Sequence, residues 1–157
     1  MLSESARMSS AAEARFRVQA SNSVPRAIAA IALDAAAAQT LERLAHADWA
    51  HTSFLTASAS GDVRTIAGES RRIQDVVAAA DLVVLVAAPG GDAHAARAIG
   101  EACSDRRVMT TGCLVGASAA AERDVAATLA QLRPWSLMVV IAGTDDYIDD
   151  MLGALRA

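Results

Sequence analysis

The chain is 157 residues long with a net charge of −4, and it is 54% hydrophobic but only 3% aromatic. That length suits one domain able to bury roughly 70% of its unfolded surface, with an Ala/Val/Leu/Ile core whose small side chains let helices lie close to a sheet. All 14 basic residues are arginine and are scattered, which excludes chemistry needing a P-loop, Schiff-base or receiver-domain lysine and leaves no basic stripe for nucleic acid.

Residues 1–24 are rich in Ser, Ala and Arg without sustained period, and are expected to form a loosely attached tail, with partner recruitment through Phe16 and Val18 as the sharper alternative. A single domain is expected over 25–157. Residues 27–33 (AIAAIAL) read as a strand and 35–47 as a helix burying Ala37, Leu41, Leu44 and Ala45. Residues 52–57 (TSFLTA) read as a second strand, and 63–66 (VRTI) as a short edge strand. A helix over 71–80 follows, with Ile73, Val76, Val77 and Ala80 at i, i+3, i+4, i+7. The continuous apolar run 82–88 is the pattern of a strand covered by helices on both faces.

Helices over 93–104, 119–132 and 145–156 alternate with strands over 108–115 and 137–142. The helix over 119–132 should turn Ala121, Val125, Leu129 and Leu132 inward. This alternation predicts an α/β fold, three-layered, with a mostly parallel sheet of about five strands and right-handed crossovers. Cys103 and Cys113 have neither metal-ligand nor disulfide spacing, so a reducing cytoplasmic setting is expected. The apolar runs fall short of the ~20 residues that span a bilayer, and the N-terminus lacks a signal-type apolar core.

In such a sheet, ligands sit beyond the carboxyl ends of the strands, where strand order reverses. Four loops reach that edge: 34–38, 88–94, 116–119 and 143–146. Each leads into a helix whose free N–H groups favour an anion. The candidate ligand or nucleotide residues are therefore Asp34, Pro89, Gly90, Gly91, Asp92, His94, Gly116, Ser118, Gly143 and Thr144. The first loop (LDAAAAQ) carries Asp34 where a glycine would admit pyrophosphate, and its carboxylate repels an anion. The Pro89-Gly90-Gly91 turn is more permissive.

Several of these residues have plainer roles. Asp92 suits the N-cap of the following helix and Ser118 that of its own, since GxSxG is absent. His94 reads either as a surface histidine or as a general base. His46 and His51 flank Trp49 as packing and solvent residues, and both cysteines read as buried, inert thiols. The stretch TDDYIDD (144–150) could present Asp145/Asp149 and Asp146/Asp150 to a cation, but such carboxylates more simply complement a helix N-terminus. No metal is expected.

The order of pieces resembles the GTP-binding domain of the bacterial tubulin FtsZ. IAAIALDAAAAQTLERL (28–44) is similar to that family's first strand and loop, with alanines for glycines. ADLVVLVAAPGGDAHAARAIGEA (80–102) is similar to its strand, phosphate loop and helix. RVMTTGCLV (107–115) falls where the family places its next strand. ERDVAATLAQLRPWSLMVVIAG (122–143) is similar to a later helix and strand, including the pair Leu132 and Arg133. Of the family's glycine-rich phosphate loop only Gly90 and Gly91 are kept, with Asp92, Ala93 and His94 in place of the rest. The resemblance covers about residues 26–155 and implies a tubulin-like domain with a degenerate site, without the family's second domain. A Rossmann-like or flavodoxin-like domain fits the same periodicity.

Two functions follow. The first is a non-catalytic binding or interaction module, a subunit or regulator that engages a protein partner or itself. The second is a small nucleotide-dependent protein or enzyme using the Pro89-Gly90-Gly91 turn with Asp92 and His94. GTP, GDP or another nucleotide is the cofactor class that the second would use.

Overall fold

A computed structural model describes residues 24–144 and 146–155. The expected tail over 1–24 thus lies outside the described residues except for its last position, and so does Asp145. The elements in chain order are β1 (Ile28–Ala32), α1 (Ala35–Leu44), β2 (Thr52–Ala57), β3 (Val63–Thr65), β4 (Ser70–Arg71), α2 (Ile73–Ala78), β5 (Leu82–Ala87), α3 (Ala95–Arg106), β6 (Met109–Leu114), α4 (Glu122–Leu132), β7 (Met138–Ile141) and α5 (Asp146–Ala154). Short 3-10 turns at Ala117–Ala119 and Arg133–Trp135 flank α4.

The sheet runs β4-β3-β2-β1-β5-β6-β7. Its five long strands β2-β1-β5-β6-β7 are parallel, and this is the doubly wound order in which the chain reverses direction between β1 and β5. The sheet has seven strands rather than about five. The two extra strands arise because 58–71 folds as a pair of tight antiparallel turns instead of a single edge strand and loop. Gly61 (φ +89°) and Gly68 (φ +93°) hold the left-handed positions of these turns. The Ser58 N–H to Asp62 carbonyl and Thr65 N–H to Glu69 carbonyl bonds close them at 2.9 and 2.8 Å.

Three layers follow from strand alternation. Alternate residues along each strand (Ala29 and Ile31 in β1, Val83 and Leu85 in β5, Leu114 in β6) pack under α2, α3 and α4. The residues between them (Ile28, Ala30, Val84, Val86, Cys113) pack under α1 and α5 through Ala37, Leu41, Ile148 and Leu152. β5 is buried at all six positions, as its unbroken apolar run requires. Small residues set the layer spacing: a Cβ on Gly100 in α3 would lie 2.6 Å from the Trp135 Cβ.

The ends of several elements move. The expected helix over 71–80 contracts to α2, and that over 93–104 slides to α3. The helix expected over 119–132 starts at Glu122 after a 3-10 turn, so Ala121 is an exposed cap and Thr128, 1% exposed, takes its place in the inward stripe.

Candidate functional site

β1 and β5 lie side by side, and their carboxyl ends open the crevice where strand order reverses. β1 leads through Leu33 to Asp34, which caps α1 in extended conformation with its Oδ1 accepting the Ala37 N–H at 2.9 Å. The same carboxylate reaches across the crevice. Its Oδ2 accepts the Ala88 N–H at 2.8 Å, 54 residues away in sequence. One negative charge thus joins the first turn of α1 to the end of β5, where a doubly wound fold would place a ligand's anion.

Gly91 of the turn fits this internal carboxylate closely. A Cβ on Gly91 would come within 2.5 Å of Asp34 Oδ2 and 2.6 Å of its Cγ. Gly90 takes φ +81°, which a non-glycine residue adopts only at a cost. The backbone donors of the turn are also engaged. The Gly91 N–H bonds the Ala88 carbonyl at 3.0 Å. The Gly90 N–H donates to Thr128 Oγ1 at 3.0 Å, and the Ala93 N–H to Gln131 Oε1 at 2.7 Å. Both acceptors sit on α4, one turn apart, 38 residues from their donors.

Sequence reasoning did not single out Thr128 or Gln131. The available signal was a polar pair at i, i+3 beside the apolar stripe of α4, which by itself reads as ordinary helix surface.

Asp92 and His94 form a separate pair beside this network. Asp92 is not the N-cap: α3 begins at Ala95 with His94 before it and no side-chain cap bond. Asp92 Oδ1 instead accepts the His94 N–H at 2.9 Å and lies 2.5 Å from His94 Nδ1. The His94 backbone N–H, then its ring, holds the Asp92 carboxyl below its usual range. Both side chains are exposed.

The other candidates sit at the ends of β6 and β7. Ser118 is not an N-cap either; it lies inside a 3-10 turn, where its hydroxyl donates to the Gly143 carbonyl at 2.8 Å. Gly116 holds φ +71°, and the Ala117 N–H bonds the Ala142 carbonyl at 3.2 Å. Gly143 and Thr144 are exposed. The structure therefore seats Gly91 against the Asp34 carboxylate, turns Gly90, next to Pro89, toward Thr128 and Asp124 on α4 instead, and ties Ser118 to Gly143 through a separate bond.

The remaining single residues are quickly placed. Burial pushes the Cys103 thiol up to about 11, which suits an inert core residue. Cys113 is likewise buried. His46 and His51 are exposed, and the Trp49 indole between them donates to the Leu44 carbonyl at 2.8 Å. Asp146 and Asp149 line a small cleft of ≈250 Å³ with Thr40 and Arg43. Among the described residues, no three His, Cys, Asp or Glu side chains are grouped to hold a metal ion.

The larger clefts lie elsewhere. Those of ≈350, ≈510 and ≈540 Å³ open at the amino ends of the strands, around Ala27 and His51, around Arg107 and Trp135, and around Met109 and Met151, and one of ≈360 Å³ lies at the carboxyl end of β2, around Thr56 and Ser58. No helix among the described residues is long and apolar enough to cross a membrane. The chain matches no protein-family model and no curated protein.

Proposed function

We propose that this domain is a non-catalytic binding and interaction module, a subunit or regulator on a tubulin-like or Rossmann-like frame whose nucleotide crevice is filled from within. The Asp34 carboxylate carries this reading. It takes the Ala37 and Ala88 N–H groups that a phosphate would otherwise use, and its negative charge opposes a second anion at the same place. Thr128 and Gln131 add to the effect by engaging the Gly90 and Ala93 donors. What is retained of a nucleotide fold then serves as a rigid frame, and function moves to the surfaces.

A thermal-shift panel of GTP, GDP, ATP, NAD, FAD and FMN, with and without Mg²⁺, tests the proposal. True ligands stabilise by mass action, by about 2.7 kcal/mol at a hundredfold excess over Kd. The expected result is no shift with any of them. A shift that disappears in Gly91→Val would overturn the reading in favour of a nucleotide-dependent protein using the Pro89-Gly90-Gly91 turn.

A further inference from the structure

The two edges of the sheet are finished differently. β4 is two residues long, and its Arg71 pairs with Glu69 at 2.7 Å; short, charged edges of this kind resist further pairing. β7 has four residues, Met-Val-Val-Ile, without charge or proline, in unbroken register with β6. No described strand pairs with its outer side. The surface around it is apolar, with Leu137 76%, Met138 55% and Ile141 52% exposed. The ≈540 Å³ cleft between this edge and α5, walled by Met109, Met138, Tyr147 and Met151, continues the patch. Exposed apolar surface gathered in this way marks an interaction site.

We infer that β7 is a homodimer interface, in which two copies pair β7 with β7 antiparallel about a two-fold axis at Val140, joining both sheets into one. The backbone fixes where the axis of such a pair lies. The Ala142 N–H donates to the Leu114 carbonyl at 2.8 Å, and on the far side of β6 the Val115 N–H donates to the Ala87 carbonyl at 2.9 Å. Even-numbered residues of β6 and β7 therefore face each other, and Val139 and Ile141 direct their N–H and C=O groups outward.

A two-fold at Val140 sets Val139 opposite Ile141 of the second copy, and Ile141 opposite its Val139. All four outward donors and acceptors of each pairing are then satisfied. The side chains fit the same axis. Met138 comes opposite Ala142, so the large exposed residue that opens each strand meets a small residue just past the end of the other. A foreign strand would have to reproduce this order of large and small residues, whereas a second copy carries it. The α5 flank of each copy then adjoins the other's edge, extending the contact toward the ~800 Å² per partner of standard interfaces.

The inference rests on reading the domain as an interaction module. The two fail separately, because nucleotide binding is read by melting temperature and self-association by mass. Sedimentation or light scattering of the full chain should give about twice 16.2 kDa. Leu137→Lys/Ile141→Lys should return the 16.2 kDa species with its circular dichroism unchanged. Val140→Cys should form an intermolecular disulfide on oxidation, since directly opposed non-hydrogen-bonded residues have suitable spacing. Ile141→Cys should not. A chain that remains monomeric up to ~1 mM, a dimer indifferent to the two lysines, or cross-linking of Ile141→Cys in preference to Val140→Cys would overturn the inference.

Discussion

At the scale of single residues, Asp34 does two jobs that ordinary substitutions can separate. Asn is as good an N-cap as Asp, so Asp34→Asn keeps the Ala37 bond. It must then turn an NH₂ group toward the Ala88 N–H. A loss of about 1–3 kcal/mol in urea unfolding is expected, the cost of a donor left unpaired; a loss near zero would mean the Ala88 bond contributes nothing. Gly91→Ala presses a methyl group against the same carboxylate and should cost about 1–3 kcal/mol as overpacking. Cys103 gives a pH test. Its thiol is raised from 9.0 to about 11, so the folded state holds a proton that the unfolded chain releases. Its contribution is therefore full below pH 9 and lost as pH rises toward 11, by up to about 2–3 kcal/mol. Because the chain has no lysine, few other groups titrate in that window. Cys103→Ala should flatten the decline in unfolding free energy between pH 9 and 11, and an unchanged slope would refute the assignment.

At the scale of elements, the crevice depends on α4 as much as on the turn it covers. Thr128→Val keeps shape and burial but removes the acceptor for the Gly90 N–H, so about 1–3 kcal/mol should be lost. Amide exchange at Gly90 should accelerate more than exchange at β5, which would place the effect in the turn. α3 and the 3-10 turn at Arg133–Trp135 meet through Gly100. Gly100→Ala improves helix propensity by roughly 1 kcal/mol, yet its methyl group has no room against Trp135. Net destabilisation is expected in thermal unfolding, and net stabilisation would show that the two elements separate at little cost. Element identity was largely legible from hydrophobic period, as β5 and α4 show. Boundaries were not, because Asp92 and Ser118 spend their side chains on the His94 N–H and the Gly143 carbonyl rather than on the helix starts they precede.

At the scale of the whole molecule, the β1–β5 switch point and the most open surfaces lie apart. Asp34 bridges the switch point at the carboxyl edge of the sheet, while the two largest clefts among the described residues and the bare strand lie at the amino edge and along β7. Hydrogen exchange can report on this distribution directly. The Val139 and Ile141 amides should exchange quickly at low protein concentration and slow as concentration rises, while β5 amides stay protected throughout. Slow exchange at Val139 and Ile141 independent of concentration would mean that something within the chain covers the edge.

The α/β class, the buried central strand and the helices on both faces are all consequences of local periodicity, which the amino-acid sequence determines by itself. The same sequence showed Asp34 as an obstacle to anions. It could not show that the Asp34 carboxylate also accepts the Ala88 N–H, because that bond spans 54 residues and exists only once β1 lies beside β5. The roles of Thr128 and Gln131 were hidden for the same reason, as were β4 and its antiparallel pairing with the expected edge strand β3, which depend on tight turns rather than on apolar spacing. Tertiary structure decided which donors in the Pro-Gly-Gly turn are taken and which strand is left bare, because a hydrogen bond between distant segments is set by strand order and register rather than by the residues flanking either partner.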